Sequence, residues 1–128
     1  MGDEFNASQP IYQQIVAKIC RQIIRKEIKP GEKLPSVREM ALHSGVNPNT
    51  VQRVYAELER MNIVEARRGQ GSFVTENTGE LENLRMQLKM EYIEQFVKNM
   101  TEMGFTYAEI VEGIQNQFKP AETQAEQE

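Results

Sequence analysis

The 128-residue sequence is short of the side chains on which catalytic and metal centres usually draw. Cys20 is its only cysteine, so no internal disulfide can form. It falls among Ile15, Ile19 and Ile23, the setting of a packed helix residue rather than of a reactive thiol. His43 is likewise the only histidine. One thiol and one imidazole do not make a zinc ligand set, and a Ser/His/Asp or Cys/His mechanism would rest on that single ring. No enzymatic activity, no metal and no cofactor are therefore expected. Long apolar runs are missing too: none approaches the ~20 residues that span a bilayer. The opening MGDEFNASQP has neither a basic n-region nor an apolar h-region, and Asn6 stands where a myristoylation signal wants Ser or Thr. A cytoplasmic chain without a membrane partner is expected.

What is present is an ordinary soluble composition, 39% apolar and 27% charged, able to bury a core. The net charge of −4 is unevenly spread. Through Thr75 eleven Lys/Arg stand against eight Asp/Glu, a net of +3; from Glu76 onward four stand against eleven, a net of −7. Such a split points to an anionic partner for the first part only.

Hydrophobic spacing divides the first part into elements. Ile11, Ile15, Ile19 and Ile23 recur every four residues, with Val16 and Ile24 beside them, and predict a helix over 11–27 entered through Pro10. KPGEKLP then ends it. Ser36-Val37-Arg38-Glu39 is a capping box opening a short second helix, with Val37, Met40 and Ala41 inward and Gly45 at its end. Asn47 suits an N-cap, and Pro48 falls at the first helical position, where its missing N–H bonds nothing. A third helix follows, with Val51, Val54, Tyr55 and Leu58 pointing inward. Asn49, Thr50, Gln52 and Arg53 are left on its outer face. Two helices joined by so tight a turn form a helix-turn-helix.

Residues 63–66 and 72–75 read as two short strands, joined by the turn Arg68-Gly69-Gln70-Gly71. A hairpin placed directly after a helix-turn-helix is a wing. Its tip carries Arg67 and Arg68, both expected to contact DNA.

Laid out this way, residues 10–74 resemble the GntR family of bacterial winged-helix transcription regulators. The resemblance rests on PIYQQI, PGEKLPSVRE, GVNPNTVQRVYAELE and RRGQGSFV, in that order and spacing. The form NPNTVxxVYxxLE, with a short C-terminal part, is similar to the YtrA-like branch. The resemblance implies a dimeric repressor or regulator on a pseudo-palindromic operator. It also implies DNA contacts from Ser36 and Arg38, from Asn47, Asn49, Thr50, Gln52 and Arg53, and from Arg68, Gly69 and Gln70.

The roughly 40 residues at 78–118 are too few for the ligand-binding domain of the larger relatives. They read as a long helix over 79–103 bearing Leu81, Leu84, Leu88, Tyr92, Phe96, Met100 and Met103. After Gly104 a shorter helix carries Tyr107, Ile110, Val111, Ile114 and Phe118. A helix pair this small cannot hide such a stripe within itself, so a second copy is expected to cover it. Dimerisation residues are thus expected at Leu81, Leu84, Leu88, Tyr92, Phe96, Met100, Tyr107, Ile110 and Ile114.

The expected architecture is mainly α with a small β-hairpin wing: an N-terminal arm over 1–9, a winged helix-turn-helix over 10–76, a two-helix dimerisation extension over 77–118 and a disordered tail over 119–128. The expected function is sequence-specific DNA binding by a homodimeric transcription regulator; nothing in the sequence indicates a small-molecule effector. The competing reading is a winged-helix protein-interaction module without DNA binding, and the polar start of the third helix argues against it. RNA fits less well, since no exposed strand offers an aromatic pair on which bases could stack.

Overall fold

The computed structural model describes residues 9–127, with side chains as far as Phe118; residues 1–8 of the expected N-terminal arm, and Glu128, lie outside it. The elements are α1 (Ile11–Ile24), α2 (Val37–Ser44), α3 (Pro48–Arg60), β1 (Val64–Arg67), β2 (Gly71–Val74), α4 (Thr78–Glu102) and α5 (Tyr107–Gln127). The chain is a helix-turn-helix followed by an antiparallel hairpin wing and two further helices. It divides into two units between Arg85 and Met86, so the first two turns of α4 belong with the winged helix.

The core of the first unit forms where the inward stripes of α1 and α3 meet. Ile15, Ile19, Val51, Val54, Leu58, Ile63 and Val74 are almost sealed from solvent. Each such aliphatic side chain contributes about 1.5–3 kcal/mol of burial. α2 packs on α3 with Ala41 and Ser44 buried. Cys20 is 1% exposed, and burial pushes its thiol up to about 11. It is a core residue, protonated at neutral pH.

α1 stops at Ile24, three residues short of the expected end at Glu27. Lys26 takes a left-handed conformation (φ 64), its N–H donates to the Ile23 carbonyl at 3.1 Å, and the Glu27 N–H donates to the Gln22 carbonyl at 2.9 Å. This pair of bonds satisfies carbonyls that the helix end would leave open. The run Arg25-Lys26-Glu27 supplies no apolar residue to extend the buried stripe. Asn62 (φ 63) closes α3 in the same way.

The strands sit one residue from their expected positions. Val64 pairs with Val74 and Arg67 with Gly71, leaving a three-residue turn closed by the Gln70 N–H on the Arg67 carbonyl at 2.8 Å. Gly71 therefore belongs to the ladder and not to the turn. The free edge of β2 is covered by the loop after α1. The Gly31 and Leu34 N–H groups donate to Val74 and Ser72, and the Val74 N–H donates to Glu32. Gly31 has φ 80, and a β-carbon there would stand 2.7 Å from a Glu76 carboxylate oxygen.

Beyond the wing, the buried Thr75 hydroxyl donates to Glu65 at 3.1 Å and accepts from the Asn77 N–H at 3.1 Å. Asn77 then caps α4 by accepting from the Gly79 and Glu80 N–H groups. α5 opens on a capping box of Thr106 and Glu109. Its backbone continues to Gln127, so residues 119–127, expected as a disordered tail, are helical. Periodicity reports which face a helix buries, not whether the helix forms. Pro120 removes one backbone donor from α5, but the Ala, Glu and Gln that follow are strong helix formers, and extending an existing helix avoids the cost of nucleation.

Of the expected dimer contacts, Leu84 and Ile110 are buried within the chain itself. Leu81, Leu88 and Met100 are half-buried. Tyr92, Phe96, Tyr107 and Ile114 are open to solvent, from 41% to 82% exposed. α4 also exposes a second stripe that the sequence reading passed over, made by Met86, Met90, Ile93 and Val97.

Candidate nucleic-acid interface

The sequence-predicted contacts lie on three elements of the first unit. At the start of α2, the Ser36 hydroxyl accepts from the Glu39 N–H while the Glu39 carboxylate accepts from the Ser36 N–H, both at 3.1 Å. The Ser36 backbone N–H foremost, with the Ser36 hydroxyl beside it, holds the Glu39 carboxyl below the usual range. Arg38 projects from this capped first turn, exposed and without an ion pair to any described residue. The Tyr55 hydroxyl of α3 donates to the Pro35 carbonyl at 2.5 Å, which ties the recognition helix to the entrance of α2. Burial, with nearby Glu39 adding to it, pushes that hydroxyl up to about 12.

At the start of α3 the Asn47 side-chain oxygen accepts from the Asn49 N–H at 2.8 Å, with Pro48 in the first turn. That oxygen gives one lone pair to the cap, so Asn47 keeps its amide N–H groups and one acceptor site to offer a ligand. Asn49, Gln52 and Arg53 are exposed, and Thr50 is half-buried. Arg53 is oriented by a residue of another helix: its guanidinium carbon lies 3.8 Å from the centroid of the Tyr12 ring.

In the wing the two arginines separate. Arg67 ends β1, lies 4.1 Å over the Phe73 ring and comes within 3.9 Å of Glu65. It is part of the hairpin's own packing. Arg68, Gly69 and Gln70 form the exposed tip, where Gly69 has φ 76 and open space around it. Lys33 joins them from the loop after α1: it bridges to Phe73, and its Cε would stand 3.0 Å from a β-carbon on Gly71.

Tyr12 and Lys33 are the residues that sequence reasoning missed. Tyr12 lies off the Ile11, Ile15, Ile19 stripe and gave no periodic signal. Lys33 sits in a loop read only as a helix stop, although its short Glu-Lys-Leu run between a glycine and a proline allows an edge strand.

Residues 11–74 match the family described as bacterial regulatory proteins, gntR family. The chain belongs to the GntR family. Along its length it is 52% identical over 114 residues to the HTH-type transcriptional regulator YhcF of Bacillus subtilis, covering 89% of this chain and 94% of that protein. It is 42% identical over 94 residues to the HTH-type transcriptional repressor YtrA of the same organism, covering 69% of this chain and 72% of that one. A solved GntR family transcriptional regulator from Listeria monocytogenes has the same fold. It superimposes with a TM-score of 0.82 at 38% identity, over 88% of this chain and 98% of that one. As a GntR protein with a YtrA-like plan, the chain is a DNA-binding transcription regulator. Among the described residues no helix is long and apolar enough to cross a membrane.

Proposed function

We propose that this GntR regulator is a homodimeric repressor, acting in the cytoplasm on a pseudo-palindromic double-stranded DNA operator. The observation that carries the reading is how its arginines are partnered. Arg25, Arg60, Arg67 and Arg85 each have a carboxylate, on Glu27, Glu57, Glu65 and Glu82 respectively. Arg38, Arg53 and Arg68, one on each predicted contact element, make no ion pair with any described residue, and of the other arginines only Arg21 on α1 shares that state. A guanidinium without a carboxylate partner on a helix N-terminus, a recognition helix or a wing tip is suited to phosphate or to a base edge. The neighbouring amides of Asn49 and Gln52 supply the paired donors and acceptors by which adenine is read in the major groove.

The homodimer is supported by the second unit, where Tyr92, Phe96, Met90, Ile93 and Tyr107 lie open to water. Exposed apolar area of that extent marks an association surface. Two-fold pairing would carry two recognition helices to major grooves one turn apart, about 34 Å. Repression is carried over from the name of YtrA.

Selection of bound sequences from random duplex DNA, using the full chain, tests the reading. Two half-sites related by a dyad and about one helical turn apart are expected. A single half-site would remove the dimer from the proposal, and no enrichment at all would remove sequence-specific binding.

A further inference from the structure

We infer that a cleft between the end of α1 and the first turns of α4 is a binding site for a small amphiphilic anion. The cleft encloses about 480 Å³ and is walled by Ile23, Ile24, Pro30 and Leu81. That volume falls within the roughly 300–1,000 Å³ typical of small-ligand sites. Apolar walls of this kind hold an alkyl or aryl body.

Its edge selects the sign of the head group. Lys26 and Lys29 both line the cleft, and neither ammonium has an ion pair with any described residue. The carboxylates beside them in sequence are engaged: Glu27 with Arg25 at 3.5 Å, and Glu32 with the backbone N–H of Lys29 at 3.1 Å. Arg85, also on the lining, shares its charge with Glu82 at 3.5 Å. Three cations against one carboxylate leave the edge positive. An anionic head can meet the lysines while its tail displaces water from the isoleucines. The backbone at Lys26 supports the assignment: φ 64 is a conformation that glycine or asparagine adopts with less strain, yet a lysine occupies it and keeps its charge at the edge.

The site does not rest on the DNA-binding reading, and its test uses no DNA. The full chain is titrated calorimetrically with decanoate below its micelle concentration, with decanol and decyltrimethylammonium as uncharged and cationic controls. Decanoate should saturate one site per chain, about tenfold tighter than either control, the scale of one charge-assisted contact. Lys26→Gln with Lys29→Gln should remove that advantage and leave decanol unchanged, and Leu81→Trp should block all binding by filling the cleft. Absence of saturable binding, equal affinity for the three probes, or decanoate affinity unchanged in the lysine double variant would overturn the inference. So would a Leu81→Trp chain that keeps its helicity but sediments as a monomer when the parent does not, because a second copy would then be the occupant.

Discussion

The Arg53 guanidinium rests over the ring of Tyr12, 3.8 Å from its centroid, so the first turn of α1 orients a side chain on the exposed face of the recognition helix. A cation–π contact at an exposed site contributes about 0.5–1 kcal/mol. That is a sizeable fraction of the ~2 kcal/mol of rotamer entropy that a free arginine carries. Tyr12→Ala is therefore expected to weaken operator binding by about 0.5–1 kcal/mol, and Tyr12→Phe to keep it. Arg53→Ala should cost more, and adding Tyr12→Ala to it should cost nothing further. A double-mutant cycle measured by fluorescence anisotropy decides this, and fully additive losses would leave Tyr12 as packing alone.

Arg38 and Gln52 should fail differently. Arg38→Ala is expected to weaken binding to every duplex, by about 1–3 kcal/mol for the operator. Gln52→Ala should relax preference at one or two base pairs and leave non-specific binding nearly intact. Competition against singly substituted operators separates the two patterns; the reverse pattern would exchange their roles.

The two wing arginines give a sharper contrast. Arg68→Ala should lower the slope of log K against log salt by about one phosphate contact per engaged wing, with melting unchanged. Arg67→Ala, which strips the cover from Phe73, should lower the melting temperature instead. An unchanged salt slope in the Arg68 variant would make the wing tip architectural.

The dimer prediction depends on where the chain is cut. Leu84 is only 5% exposed and belongs with the first unit, so the break belongs after Arg85. That truncation should yield a folded monomer. Its operator affinity should fall far more than one half-site explains, because the second half-site loses its high effective concentration. Sedimentation at micromolar concentration beside an operator titration checks both; a truncated dimer would place the interface in the winged helix.

Two buried acids set the alkaline limit. Tyr55 is pushed up to about 12 and Cys20 to about 11, each above its ordinary value. Folding therefore favours their protonated forms, and unfolding releases protons at high pH. Their stabilisation is fully present at neutral pH, begins to fall near pH 9–10 and is lost as pH rises through 11 and 12. Urea melts should show a flat plateau and then a decline, less steep in Tyr55→Phe. At neutral pH the same variant should be about 0.5–1.5 kcal/mol less stable, the net contribution of the lost hydrogen bond to the Pro35 carbonyl. A decline of equal steepness in both proteins would assign it to other groups.

The helix-turn-helix was legible because its signals are local. Ile15, Ile19 and Ile23 lie on one face by helical geometry alone, and Ser36 and Asn47 cap their helices through bonds spanning two or three residues. The capping box of Thr106 and Glu109 was equally local, and could have been read. Helix ends were harder. α1 stops at Ile24 through a left-handed lysine, where a glycine would have signalled the stop, and the backbone of α5 extends past Phe118 through a segment whose sequence has no apolar periodicity.

What tertiary structure alone decided are the relations between residues distant in the chain. Tyr12 meets Arg53, the Tyr55 hydroxyl meets the Pro35 carbonyl, and Lys33 reaches the wing at Gly71. None leaves a periodic trace, because each partner's position is set by how α1, α3 and the loop after α1 pack together. The same packing separates Arg67 from Arg68, adjacent in sequence, since neighbours at the end of a strand enter different surroundings. Leu84 likewise leaves the apolar stripe open to a second copy: one side chain of a continuous helix pattern is buried while Tyr92 and Phe96 remain in water. A heptad-like spacing places these residues along α4, but only burial tells which of them are already spent.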